Sequence, residues 1–469
     1  MIPMSATEIA AATEGRLLSG SEAAVGEAVS IDSRKVSPGT CFFAIVGETN
    51  DGHDFVDNAV AQGASVVVVE HPVGDVDAAV VLVEDTTSAL QALGARVRRI
   101  VDPTVVAITG SLGKTTTKEI AATLLDTRYE VHATPGNLNN HWGLPLSLLG
   151  LEPRHEVMVA EMAMSRAGEI RALAQIATPD VGVITNVAPA HMDGFADLDG
   201  VAAAKGELAE ELPDSATLIV NADDPRTTAM PQSLAPQVSR VVRFGRNADA
   251  DVRAAEVAAS ATGWSFVLHV EAESRGIDLK LPGIAGISSF LAAAAAAWTL
   301  GVPLDAIASE APSLQPLANR GSIRRLGGVR LLDESYNASP VAMSAALDTL
   351  AGIAAEGRHV AVLGDMLEMG DWTDRVHREA GRHAAETGVD MLVAVGAFAD
   401  LIAQGALAAG ISDAAVHRFE SAEDAADWLP ERLEGGDVIL VKGSRGVHLE
   451  HVVNAVTASS VVSNGAVDR

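Results

Sequence analysis

The sequence predicts an α/β protein of three domains. A central P-loop-type domain with a mainly parallel sheet is flanked by an N-terminal α/β substrate domain and a C-terminal Rossmann-like α/β domain. Three observations predict this. Short runs of branched apolar residues recur between helix-like stretches along the whole chain, the pattern of βα units. One such run leads directly into a glycine turn and a helix. The length, 469 residues, accommodates about three units of ~150 residues.

The first unit is expected over residues 1–102. Ser65-Val-Val-Val-Val-Glu70 and Ala79-Val-Val-Leu-Val83 read as buried strands, and Ser88–Ile100 as a connecting helix that stops before Asp102-Pro103. The second unit is expected over 103–314. Its strands are Thr104–Ile108, Val157–Ala160, Val181–Thr185 and Thr217–Asn221, with helix-like segments between them. From Val241 to Leu281 short alternating runs predict a small antiparallel flank. Leu291–Leu300, with consecutive alanines from Ala292 to Ala297, predicts a closely packed helix. Pro312–Pro316 reads as a linker to the third unit, 315–469. The strands there are Val329–Asp333, His359–Leu363, Met391–Val395 and Asp437–Val441. Ligands of such sheets bind beyond the carboxyl ends of the strands. That singles out Asp333, Gly364-Asp365, Gly396 and Lys442-Gly443-Ser444-Arg445.

Composition narrows the function. A net charge of −29 disfavours nucleic acid and anionic membranes as partners, since both demand basic patches. An anionic substrate must then be held by local cations and metal ions. The single cysteine, Cys41, excludes an intrachain disulfide and reads as a small buried apolar residue. No basic segment followed by an apolar core opens the chain, and no apolar run reaches ~18 residues. A cytoplasmic protein without membrane insertion is expected, acting as a monomer.

Ala107-Ile-Thr-Gly-Ser-Leu-Gly-Lys-Thr-Thr-Thr-Lys118 carries the most chemistry. Strand, glycine turn, Lys-Thr and helix form a phosphate cradle. Backbone N–H groups and a helix N-terminus face the phosphates, Lys114 adds a charge, and the Thr115 hydroxyl suits Mg²⁺. Ile108 stands where the longer Walker pattern has its first glycine, so the match is to Gly110-x-x-Gly113-Lys114-Thr115. Gly110, Ser111, Leu112, Gly113, Lys114, Thr115 and Thr116 are therefore the candidate nucleotide-binding residues. Thr115, Glu161, His191 and Lys205 are candidates to converge on metal, since all but Lys205 come directly or soon after a strand. For each alone, a solvated or ion-paired surface role is the simpler reading, with Lys205 pairing to Glu207 or Glu210. Asn137, Asn139 and Asn140, between Gly136 and Gly143, read as a polar loop that either only makes turns or also holds substrate.

With these residues together, the chain resembles the Mur ligases, ATP-dependent amino-acid-adding enzymes of peptidoglycan synthesis. The resemblance covers nearly the whole chain. It rests on Asp32-Ser-Arg34, Asp51-Gly-His-Asp-Phe55, Thr109–Glu119, Gly136–Asn140, Gly143-Leu-Pro145 and Thr185–His191. Further along it rests on Ala204-Lys-Gly-Glu207, Asp333-Glu-Ser-Tyr-Asn-Ala338, Leu363–Gly370, His377 and Val441–Arg445. The Ser-Tyr-Asn-Ala and Gly-Asp-Met strings point to the branch that joins D-alanyl-D-alanine to UDP-N-acetylmuramoyl-tripeptide (UDP-MurNAc-tripeptide).

The resemblance implies ATP and Mg²⁺, with Lys114, His191 and Lys205 catalytic and Thr115, Glu161, His191 and a carbamylated Lys205 on metal. It implies Arg320 and Tyr336 on the nucleotide. Ser33 and Arg34 are implied at the UDP end, and Asn137, Asn139, Asn140, Ser165 and Asn337 elsewhere on the substrates. Two departures stand out. Where the family usually has Leu-Pro-Gly-Arg-His-Asn and a second Asn soon after, this chain has Leu281-Pro-Gly-Ile-Ala-Gly-Ile-Ser-Ser289, and Ala163 replaces a common glycine. The His and Asn side chains associated with adenine are thus replaced by Ala285, Gly286 and Ser289. A sibling ligase adding another amino acid, a folylpolyglutamate synthetase-like enzyme and a catalytically impaired nucleotide-binding relative are the alternatives. The opening unit with Asp32-Ser-Arg34 argues against the second, and the retained Lys114, Glu161, His191 and Lys205 against the third.

Overall fold

A computed structural model describes residues 1–190, 192–260, 263–317 and 319–459. Three α/β sheets follow one another along the chain. The first has five strands in the order Arg16–Ser19, Ala79–Leu82, Ala64–Val69, Thr40–Phe43, Ala28–Ser30. Only the edge strand Arg16–Ser19 is antiparallel to its neighbour. The inner strands are almost wholly buried, which is why they read as unbroken apolar runs.

The second sheet has nine strands. Thr104–Thr109 is third from one edge, between Val157–Glu161 and Val181–Ile184, with Val131–Ala133 at that edge. Beyond Val181–Ile184 come Thr217–Asn221, Arg240–Gly245, Val252–Ser260, Gly263–Val270 and Glu273–Leu279. The expected antiparallel flank is present but smaller than residues 241–281. Arg240–Gly245 and Val252–Ser260 pair in parallel and extend the same sheet, and only the last two pairings, on either side of Gly263–Val270, are antiparallel. Alternation reports one solvated face, and a sheet edge has that whether its strands run parallel or not.

The third sheet, of six strands, runs Ser322–Leu326, Val329–Glu334, Val438–Lys442, His359–Gly364, Met391–Val395, Val416–Phe419. All its pairs are parallel except the first. The strands Ser322–Leu326 and Val416–Phe419 are additional to those expected from the sequence.

Helix Gly283–Thr299 packs on helix Lys114–Asp126. All of Ala292–Ala297 are buried, and methyl side chains let the two backbones approach closely. Helix Thr86–Val101, capped by Asp85 and ending at Asp102 with φ 52°, is longer than expected at both ends. It packs against helices Gly143–Leu149 and Glu169–Ala177 of the second unit. Arg98 fixes its far end by donating to the carbonyls of Ala177 at 2.9 Å and Thr178 at 3.1 Å. One continuous apolar cluster therefore runs from Phe43 and Val66 through Leu90 to Leu144 and Met158. The core of the third unit is built from separate clusters. Among the described residues no helix is long and apolar enough to cross a membrane.

Candidate functional site

The carboxyl ends of the second and third sheets meet across one cavity of about 610 Å³. The second unit contributes Ser111–Thr116, Asn137, Asn139, Glu161 and Ala163. Leu281–Gly283, Ala285, Gly286 and Ser289 form another wall. The third unit contributes Arg320, Glu334, Tyr336, Asn337, Lys442, Ser444 and Arg445.

The glycine turn follows strand Thr104–Thr109, and Lys114 is the first residue of its helix. Gly113 has φ 79°, which its lack of a Cβ permits. A Cβ on Gly110 would lie 1.9 Å from the Thr185 hydroxyl, so only glycine fits there. Thr185 and Asn186 brace the turn from the neighbouring strand. Asn186 Oδ1 accepts from the Leu112 N–H at 2.9 Å, the Asn186 carbonyl accepts from Ser111 N–H at 3.0 Å, and the Thr185 hydroxyl donates to the Leu112 carbonyl at 2.6 Å. Lys114 Nζ donates to the carbonyls of Gly110 at 2.7 Å and Ser111 at 3.3 Å. Burial lowers the Lys114 pKa, the Glu161 charge opposes that, and Arg320 adds to it. Lys114, Glu161 and Arg320, from two different domains, thus share one field.

Glu161 ends strand Val157–Glu161 and is buried. Its Oε1 accepts from the Thr115 hydroxyl at 3.1 Å and from Asn139 Nδ2 at 2.7 Å. Its Oε2 is buried with no hydrogen-bond partner, and the Lys118 ammonium is 3.9 Å away. A buried carboxylate oxygen left without a donor is costly unless a cation completes it. The hard oxygens of Glu161 and Thr115, beside a phosphate cradle, fit Mg²⁺.

Lys205 is buried in helix Leu198–Glu210. The ion pair with Glu207 or Glu210, the simpler alternative for Lys205, is not formed. Glu207 instead accepts from the N–H groups of Gly168 at 2.7 Å and Arg171 at 3.0 Å, and Glu210 pairs with the Arg171 guanidinium. Among the described residues Lys205 has no hydrogen-bond or ion-pair partner. Burial, and then the Lys114 charge, hold its pKa well below the usual value. His191 lies outside the described residues.

The remaining candidates are placed as follows. Arg320 lines the cavity with its guanidinium 3.8 Å from the centre of the Tyr336 ring, and Arg445 lies over the same ring at 5.4 Å. Asn137 and Asn337 line the cavity. Asn140 does not: its Oδ1 accepts from the Gly143 N–H at 2.8 Å at the start of helix Gly143–Leu149, a structural duty. Ser165 is exposed and also outside the cavity lining, its N–H donating to Glu169 at 2.6 Å. Ser33 and Arg34 lie in the first domain, away from this cavity. Ser33 is buried and accepts from Asn58 Nδ2 at 3.2 Å, and Arg34 pairs with Asp32 at 2.9 Å. Ala163 is not among the residues with positive φ, so its methyl group is accommodated without strain. The structure adds Lys118 and Asn186, which sequence reasoning did not single out as functional residues, and it places Lys442, singled out at a strand end, in the cavity lining. Lys118 had one available signal, its place one helical turn after Thr115 on the same face.

Comparison with known proteins agrees with this geometry. Residues 27–125 match the Mur ligase family catalytic domain, 108–297 the Mur ligase middle domain and 320–445 the Mur ligase glutamate ligase domain. The chain is 36% identical over 434 residues to the UDP-N-acetylmuramoyl-tripeptide–D-alanyl-D-alanine ligase of Escherichia coli, covering 92% of this chain and 93% of that one. The Bacillus subtilis ligase of the same name is 33% identical, with 98% and 99% covered. Among solved structures, MurF from Acinetobacter baumannii superposes with a TM-score of 0.88 at 31% identity, covering 97% of this chain and 99% of that one. The MurF ligase of Thermotoga maritima in complex with ADP superposes at 0.81 with 29% identity, covering 93% and 98%. With three successive domain matches, a shared fold and identity above 30% across nearly its full length, this chain belongs to the Mur ligase family.

Proposed function

We propose that this protein is an ATP-dependent amide ligase that joins D-alanyl-D-alanine to UDP-MurNAc-tripeptide in peptidoglycan precursor synthesis. The observation that carries the reading is the near-full-length identity to ligases of that activity. The cavity where Lys114, Glu161 and Arg320 meet supplies the chemistry it requires.

The γ-phosphoryl group of ATP passes to the carboxylate of the tripeptide's third residue, giving an acyl phosphate and ADP. The amine of the dipeptide attacks the acyl carbon, the C–O bond to phosphate breaks, and phosphate leaves as the amide forms and the amine loses its proton. The first transfer is a matter of positioning and charge neutralisation. The turn at Gly110–Thr116 presents N–H groups to the phosphates. Lys114 exchanges its two loop carbonyls for phosphate oxygens, and Arg320 approaches from the opposite wall. Thr115 and Glu161 would hold one Mg²⁺, and His191 with a carbamate on Lys205 a second; such ions neutralise charge on phosphoryl and carboxylate oxygens. Asn137 and Asn139 serve the acceptor side, Asn337 the dipeptide side, and Ser33 and Arg34 the UDP end in the first domain. The domains of this reading are 1–102, 103–314 and 315–469, in a cytoplasmic protein acting as a monomer.

The deciding experiment measures phosphate release and amide formation with ATP, Mg²⁺ and UDP-MurNAc-tripeptide across a panel of amines. Release that depends on both the tripeptide and D-alanyl-D-alanine is expected. Turnover with a different amino acid instead would assign the chain to a sibling activity. Nucleotide binding without amine-dependent release would make it a non-catalytic relative.

A further inference from the structure

Lys118 is among the largest fully buried side chains in the protein, and nothing in the mechanism above uses it. It lies on helix Lys114–Asp126, one turn beyond Thr115. Its Nζ donates to the carbonyls of Thr134 at 2.6 Å and Gly136 at 3.0 Å. It is 2.8 Å from Glu119 Oε1 and 3.9 Å from Glu161 Oε2. An ammonium group kept fully out of water needs strong compensation, and here two backbone carbonyls and two carboxylates provide it.

The partners are informative. Thr134 and Gly136 open the loop that carries Asn137 and Asn139. Thr134 Oγ1 also accepts from the Glu161 N–H at 3.1 Å. Farther along, the Asn139 carbonyl accepts from Ala163 N–H at 2.9 Å, and its amide donates to Glu161 Oε1. Lys118 therefore ties three pieces together at one point: the helix of the phosphate cradle, the asparagine loop and the end of the Glu161 strand. The loop has no regular structure between Thr134 and Trp142, so its backbone depends on such anchors.

We propose that Lys118 is a positioning residue for the ligation reaction. It pins the Thr134–Gly136 backbone to the cradle helix and so holds Asn139 and Glu161 in the arrangement that receives the phosphoryl group and its metal. The inference rests on the reading of Glu161 and Asn139 given above. Lys118 acts through the loop: its ammonium group faces carbonyls behind the cavity wall, and it is absent from the cavity lining.

The test uses the full-length enzyme. Lys118→Met keeps the length of the side chain and removes the charge and the donors. Hydrogen exchange is followed first on the enzyme without nucleotide or metal. Amides of residues 135–142 are expected to exchange at least about tenfold faster, while strands 104–109 and 157–161 keep their protection. Turnover is expected to fall at least about thirtyfold, with the KM for UDP-MurNAc-tripeptide within about threefold of wild type. Asn139→Ala should lose turnover on its own. The double variant should be no more than about threefold worse than the poorer single variant, because both changes break one linkage. Lys118→Gln, which keeps two N–H donors, guards against a variant that does not fold and should show a smaller loss with the same pattern.

Wild-type exchange in 135–142, turnover within about threefold of wild type, or losses that multiply in the double variant would each overturn the proposal. So would faster exchange spread evenly over the second domain, which marks a general packing role. Glu161→Gln is run alongside. If it retains full turnover, the reading of the site fails, whatever Lys118 does.

Discussion

At the residue scale, the two lysines of the site are set apart by their partners. Lys114 is half-buried and satisfied, with two loop carbonyls as acceptors and the Glu161 carboxylate nearby. Lys114→Ala is expected to abolish turnover. Calorimetry should find UDP-MurNAc-tripeptide binding within about tenfold of wild type, ~1.4 kcal/mol, since Ser33 and Arg34 lie in another domain. Lys205 is buried without a partner among the described residues, next to a like charge, and its pKa is driven far down. Burial and a neighbouring cation both favour the neutral amine, the form that adds CO₂. Carbamylation turns a cation that repels metal into an anion with two hard oxygens. Lys205→Ala should lose nearly all turnover, and acetate should restore part of it. Retention of more than about a third of wild-type turnover, under ~0.7 kcal/mol in the barrier, would remove the carbamate from the mechanism. The glycine turn was legible in the sequence because it is local: strand, turn, lysine and helix are consecutive. The brace from Asn186 and the anchor at Lys118 were not. Their partners lie 74 and 16 residues away, and a lone Asn or Lys carries no record of what it will meet.

At the element scale, the start of helix Gly283–Thr299 forms one wall of the cavity. Ala285 and Gly286 face the cavity with no polar side-chain atom, and Ser289 sits against Gly113, its hydroxyl 2.9 Å from where a Cβ on that glycine would lie. Tyr336 has an arginine close over its ring. A site that hydrogen-bonds a base edge rejects analogues strongly, whereas an apolar wall does not. Competition kinetics should therefore find ATP preferred over GTP by no more than about tenfold, with a raised KM for ATP. A preference of a thousandfold would mean that other groups read the base. Helix Thr373–Glu386 holds a second local device. Buried His377 accepts the Met366 N–H on Nε2 at 2.9 Å, and its Nδ1 lies 2.7 Å from the Thr373 carbonyl, which fixes the neutral tautomer with the proton on Nδ1. Burial lowers its pKa below 6.5. Its contribution is thus complete above the unfolded value and is lost as the pH falls through the native one. His377→Gln should melt lower at neutral pH yet lose less stability than wild type between about pH 6.5 and 5. Equal slopes in melting temperature against pH would show that His377 does not set this limb. That histidine was visible in the sequence as part of a motif; its role depends on a helix folding back onto the end of strand His359–Gly364.

At the scale of the whole molecule, the three domains are not joined equally. The sequence marks two connections, one at Asp102-Pro103 and one at Pro312–Pro316. The structure buries helix Thr86–Val101 against the second domain and runs one apolar cluster through both units. Relative motion of these two would break a core, so the first connection is a poor hinge. The third domain keeps its own core and follows the segment 311–321, whose regular structure among the described residues is a short 3-10 turn, Ala311–Ser313. Any opening of the cavity is therefore expected at this joint, and an arrangement with Arg320 and the third-domain wall beside Lys114 would exclude water from an acyl phosphate. Across the cleft the domains touch where the Asp193 N–H donates to the Glu368 carbonyl at 3.2 Å. Gly370 beside it has φ 52°, and a Cβ there would lie 2.8 Å from Asp193 Oδ1. Gly370→Ala thus adds both backbone strain and a steric conflict that only the closed arrangement feels. It is expected to shift the population towards open forms. Small-angle scattering should report a larger radius of gyration, and turnover should drop at least about fivefold, ~1 kcal/mol in the barrier. UDP-MurNAc-tripeptide affinity in the first domain should be unchanged. If scattering and turnover both match wild type, contact at Asp193 is incidental to closure, and the joint at 311–321 must be controlled from the arginine side of the cavity instead.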